Sequence, residues 1–203
     1  MVRIFIRTVY IFFLAFSFLS SKDYYWQQSV NYEMSVVLID SVRQLACSSI
    51  ITYKNNSPDE LNDLYFHLYP NAFQLGSVKS RDYLNGYGSE SRAVYFSDGL
   101  DGYESKIHIR EFTVAKNQEI VLDDYKIDDT VLRAYLKTPL LPGEEVRIDI
   151  EWNHHVGGMV ERAGYYEGQY NMAQWYPKIA AYDHKGWHAE PFHAQGEFYG
   201  EFG

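Results

Sequence analysis

Leu141-Pro142-Gly143-Glu144-Glu145-Val146-Arg147-Ile148-Asp149-Ile150-Glu151-Trp152 is the stretch that decides the fold. Val146, Ile148, Ile150 and Trp152 alternate with Arg147, Asp149 and Glu151, a period of two that no helix keeps and that a half-buried strand requires. Pro142 and Gly143 make a sharp turn ahead of it, since proline fixes its own φ and glycine tolerates the left-handed backbone. The strand therefore has one face for a core and one for water, and it begins where a preceding strand has just reversed direction.

Working outward, the same period recurs. Val30, Tyr32, Met34, Val36 and Leu38 fall on one face, with Asn31, Glu33 and Ser35 on the other. A β-branched run from Leu45 to Tyr53 breaks at Asn55-Asn56-Ser57-Pro58-Asp59, a turn by composition. Leu64, Phe66 and Leu68 share a face, Tyr65, His67 and Tyr69 the other, and Pro70 ends that run. Further strands are expected over Lys106 to Val114, Glu119 to Leu122 and Val131 to Leu136, separated by polar or acidic turns. Residues 71 to 104 lose the period and read as an insertion of loops and short helix, with helical turns near Ser80 to Leu84 stopped by Asn85-Gly86. The fold class is mainly β: an antiparallel saddle-like or sandwich-like sheet domain with a short helical insertion and an N-terminal signal helix. Nineteen Tyr against four Met agree with it.

Arg3 and Arg7, the apolar run Val9 to Leu19, and the small residues Ser17, Ser20 and Ser21 form a signal peptide, assigned to residues 1–21. The run is shorter than the roughly 20 residues that cross a bilayer, so no stable membrane span is expected after cleavage. The protein is expected to be exported, whether periplasmic, cell-surface or secreted. Residues 22–203 then form one domain. Phe198 and Phe202 would share a strand face that stops at Gly203 without a turn signal, as though cut short. The formal charge of −9, with 27 acidic residues scattered among 18 basic ones, argues against a nucleic-acid partner. The single cysteine, Cys47, excludes an internal disulfide and reads as a small buried strand residue.

Seven histidines invite a metal site, of which His184, His188 and His193 form the best group. Lys185-Gly186 breaks the helix that a four-residue spacing would need, and His154 and His155 point to opposite faces of a strand end, so no metal ligand is assigned. His67 is expected as a packed, hydrogen-bonded residue at the edge of the core. Asn55-Asn56-Ser57 fits a glycosylation acceptor, but turn chemistry explains it as well. No H-E-x-x-H run, P-loop, G-x-S-x-G elbow or paired-cysteine motif occurs, so no catalytic residue is assigned in this chain.

The strand Leu64-Tyr65-Phe66-His67-Leu68-Tyr69-Pro70-Asn71-Ala72-Phe73, the turn and strand from Leu141 to Trp152, and Gln174-Trp175-Tyr176-Pro177-Lys178 before Asp183 and Gly186-Trp187-His188 resemble bacterial members of the aminopeptidase N and leukotriene hydrolase family of zinc metallopeptidases. The resemblance implies a non-catalytic N-terminal β domain of an exported zinc aminopeptidase. Zinc, the general base and peptide hydrolysis would belong to a downstream catalytic domain of the same protein, and this chain would hold no cofactor itself. Ala173-Gln174-Trp175-Tyr176-Pro177 matches the family's Thr-Gln-x-(Glu or Gln)-Pro, which implies that Gln174 and Tyr176 contact the peptide substrate. Tyr176 departs from that pattern. On strand alternation the two side chains would point the same way, Tyr176 closing the pocket with a ring. Gly157-Gly158-Met159-Val160-Glu161 imitates the family's G-x-M-E-N motif, but Val160 interrupts it and its position is too early. The alternative reading is a free-standing exported β-sandwich that binds carbohydrate or protein through a Tyr and Trp surface.

Overall fold

The computed structural model describes residues 25–196; the expected signal peptide and the Phe198 and Phe202 pair lie outside them. Two antiparallel sheets face each other. The larger has five strands in the order β1-β2-β8-β4-β5, formed by β1 (Ser29–Ile39), β2 (Gln44–Lys54), β8 (Glu145–His155), β4 (Lys106–Lys116) and β5 (Glu119–Ile120). The smaller has the order β11-β3-β7-β6, formed by β11 (Lys178–Ile179), β3 (Leu61–His67), β7 (Val131–Leu140) and β6 (Leu122–Asp128). Two short hairpins complete it: β9 (Gly164–Tyr166) with β10 (Gln169–Asn171), and β12 (Ala181–Asp183) with β13 (Gly186–His188).

The alternation that marks β8 is realised: Val146, Ile148, Ile150 and Trp152 are buried between the sheets. Beside them in the same sheet lie Cys47, Ile51 and Tyr53 of β2, and the facing sheet contributes Leu64 and Phe66 of β3. Phe66 meets Phe112 of β4 edge-on at 5.6 Å between centroids, and Phe112 meets Tyr125 of β6 at 5.3 Å, so rings from both sheets interlock. Cys47 sits in this core, where burial pushes its thiol up to about 11.

Two features differ from the sequence expectation. The run expected as one strand from Glu119 to Leu122 is split at buried Val121. There the backbone donates from Val121 to Val114 (2.9 Å) and accepts from Lys137 (2.8 Å), so the chain leaves one sheet for the other. The acidic stretch after it, read as a turn, is the strand β6. Its exposed Asp and Lys side chains lie on an open edge, where charge costs nothing and hides the period.

The insertion from 71 to 104 carries more structure than expected. Ser77 caps α1 (Val78–Leu84) by accepting from Ser80 N–H at 3.0 Å, so the helix starts two residues before the expected Ser80. A second helix, α2 (Glu90–Ser97), follows, and Phe73, Tyr83, Phe96 and Leu100 form a small core of their own. The ends of the insertion meet: Asn71 Oδ1 accepts from Ile107 N–H at 2.8 Å, and Ser105 N–H donates to Phe73 O at 3.0 Å. Asn55, the possible glycosylation acceptor, is fully buried, and its amide donates to Asp59 O and Leu140 O at 2.7 and 2.9 Å, so it is a structural corner.

Candidate functional site

The inward alternation of β8 carries past Trp152 to His154, which is 2% exposed at one end of the sandwich. Its Nε2 lies 2.9 Å from Ser105 Oγ, and Ser105 Oγ donates to His155 O at 3.0 Å. The serine proton thus goes to the carbonyl, so Nε2–H donates to the serine and Nδ1 is left as a buried acceptor without a partner among the described residues. Burial, helped by neighbouring His155, lowers the imidazole to about 4. At neutral pH this histidine is therefore an uncharged acceptor.

A cavity of about 30 Å³ opens beside it, walled by Tyr69, Phe73, Tyr103 and Phe192 and reached by His154 and Gln174. That is room for roughly one or two water-sized groups, the tip of a ligand and not its body. Gly157 lets the wall close up: a Cβ there would lie 2.3 Å from Glu104 O and 2.4 Å from Tyr103 O.

Gln174 lines this cavity with a left-handed backbone, φ 52°. Its amide makes no hydrogen bond to any described residue, although it has donors and an acceptor to offer. Tyr176 goes elsewhere. Regular strand begins only at Lys178, and the turn at Gln174 breaks the alternation that would have put the two side chains on one side. The Tyr176 ring packs edge-on against Tyr32 at 5.5 Å, and Tyr32 Oη accepts from Ile179 N–H at 2.9 Å. Trp175 between them turns inward onto Trp152, at 6.2 Å.

Beneath the cavity a charge is buried. Lys79 of α1 is 1% exposed, and its ammonium lies 2.8 Å from Glu161 Oε1 and 3.7 Å from the centre of the Phe192 ring. Tyr83 also donates to Glu161 at 3.0 Å. Burial draws the Lys79 pKa down against the opposing pull of Glu161. The carboxylate of the Gly157-Gly158-Met159-Val160-Glu161 run is thus committed to a structural pair.

The histidines are dispersed. His188 Nε2 lies 2.9 Å from Asp183, His193 Nδ1 lies 2.8 Å from Asp82, and His67 stacks on Tyr69 while its Nε2 meets His188 O at 3.0 Å. Among the described residues no three His, Cys, Asp or Glu side chains converge on a metal position. Sequence reasoning pointed to Gln174 but missed Ser105 and Lys79. Only for His154 was there a signal, since it continues the alternation of β8.

No known family profile and no curated protein matches the chain. Among solved structures it has a distant, partial likeness to an M1 zinc metallopeptidase from Deinococcus radiodurans, with a TM-score of 0.39 and 12% identity over 70% of this chain. The match spans 25% of that protein's length.

Proposed function

We propose that this chain is a non-catalytic N-terminal domain of an exported zinc aminopeptidase, and that Gln174 forms one wall of the pocket for the first residue of a peptide. The downstream catalytic domain and the peptide are its partners. The observation that carries the reading is the Gln174 amide, free of any described partner and held in a left-handed turn at the mouth of a small cavity with aromatic walls. A polar, uncharged group there satisfies a peptide's polar end without the cost of burying a charge. The resemblance around Gln174-Trp175-Tyr176-Pro177-Lys178 supports it independently. Tyr176, packed on Tyr32, has a supporting role in this reading: it steadies the loop that presents Gln174.

The alternative, a free-standing binder using exposed Tyr and Trp, has less to draw on. Trp152 is buried, and Trp26, Trp175 and Trp187 are half-buried and engaged with other rings. In the full-length enzyme, Gln174→Ala should lower kcat/KM by about 1–3 kcal/mol with zinc content unchanged. Steady-state kinetics on aminoacyl substrates with metal analysis make the test; wild-type kinetics in that variant reject the site.

A further inference from the structure

Antiparallel sheets leave edges that can recruit another strand, and most edges in this molecule are guarded. β5 and β11 are only two residues long, and β6 carries Asp123, Asp124, Lys126 and Asp128. β1 differs. It is 11 residues long and pairs with β2 in unbroken register from Ser29↔Lys54 to Ile39↔Gln44, without a bulge, and its other edge has no partner strand among the described residues. It contains no proline and no lysine. Its second half, Val36-Val37-Leu38-Ile39, is apolar on both faces and exposed, with Val37 at 58% and Val42 beside it at 54%. Val36 and Leu38 belong to the inward face, like Tyr32 and Met34, yet lie uncovered.

We infer that this edge is a homodimer interface, in which β1 pairs antiparallel with β1 of a second copy across a two-fold axis through Val37. The register follows from the geometry. When the axis is perpendicular to the sheet, inward residues must face inward residues, so opposed positions differ by an even number. Centring on Val37 places Val36 opposite Leu38 and Ser35 opposite Ile39, and the ladder ends there because Asp40–Val42 turns away as a 3-10 helix. Val36, Val37 and Leu38 thus meet Leu38, Val37 and Val36 of the second copy, and Glu33 lies beyond the end of the ladder, clear of its own symmetry mate. The two five-stranded sheets become one continuous sheet, and the uncovered inward residues Val36 and Leu38 pack laterally on their symmetry mates.

Sedimentation equilibrium of the full chain at tens of micromolar tests this, with Val37→Lys as the variant and Val94→Lys, on α2, as the control. Because Val37 is more than half exposed, the lysine leaves the monomer fold intact, which circular dichroism and thermal melting verify. The expected result is a dimer for the wild type and for the control, each at least 100-fold tighter than any dimer formed by Val37→Lys. Val37→Cys should also cross-link to itself with a short bis-maleimide, whereas buried Cys47 stays silent. A wild-type chain that remains monomeric, or a dimer indifferent to Val37→Lys, overturns the inference.

Discussion

Two residues beyond Trp152 on the inward face of β8, an imidazole stands where the pattern calls for an apolar side chain, and beside its neutral partner Ser105 its Nδ1 bonds to no described residue. The consequence is a pH dependence of stability with a definite sign. The unfolded chain takes up the His154 proton near pH 6.5, while the folded protein resists it until about 4. Between those values the unfolded state binds more protons, so stability falls as pH drops through that window. At 1.36 kcal/mol per unit the loss is about 3 kcal/mol at most. Urea unfolding at pH 7.5 and 4.5 should show it in the wild type and a markedly smaller drop in His154→Gln. An identical drop in both would place the acid sensitivity in other groups.

β4 shows how an element tolerates one residue too many. Ile109 and Phe112 both face the core, and the register against β8 shifts between Ile109 and Glu111, so Arg110 and Glu111 both lie outward. The outward Arg110 pairs with Glu151 of β8. Removing Arg110 restores strict alternation, with Ile109 in, Glu111 out and Phe112 in, whereas removing Thr113 sets Phe112 and Val114 on opposite faces. Deleting Arg110 should therefore keep cooperative unfolding within about 2 kcal/mol of wild type. Deleting Thr113 should prevent folding, since turning out even one large core side chain costs about 2–5 kcal/mol. Denaturant titrations compare the two; equal damage from both deletions would mean that the bulge itself holds the strand.

At the scale of the whole molecule, the described residues form two cores. The sandwich core joins both sheets, and the smaller one, with Tyr83 stacked on Phe96 at 4.8 Å, belongs to the helical insertion. The insertion is tied to the rest of the molecule at its ends, through Asn71 and Ser105, and along α1, where Val78 N–H donates to Asp129 and both Lys79 and Tyr83 meet Glu161; because its core is separate from that of the sandwich, its stability is expected to be partly its own. Phe96→Ala should raise hydrogen exchange across residues 77–103 and leave β2 and β8 protected. Ile148→Ala, in the sandwich, should raise exchange everywhere. Loss of protection in β8 on Phe96→Ala would show that the two cores unfold as one.

The sequence alone determined the strands whose period is plain. β8 and β2 are legible because one face of each is buried by a sheet and the other is nearer to water, which is the condition that writes a period of two into a chain; β3 keeps an apolar alternation although Tyr65 and His67 on its other face are covered as well. It also determined that the irregular stretch after Pro70 is an insertion with helix in it, since turn residues and lost alternation are local properties. Tertiary structure decided the rest. β6 was hidden because an open edge strand need not be apolar, and the break at Val121 because leaving one sheet for another depends on where the second sheet lies. Gln174 could be singled out from its neighbours in the chain, but its separation from Tyr176 depends on a left-handed turn that alternation does not foresee. The cavity gathers residues as distant as Tyr69, Ser105, His154 and Phe192. No local pattern encodes that convergence, because it is fixed by the packing of the insertion against the end of the sandwich.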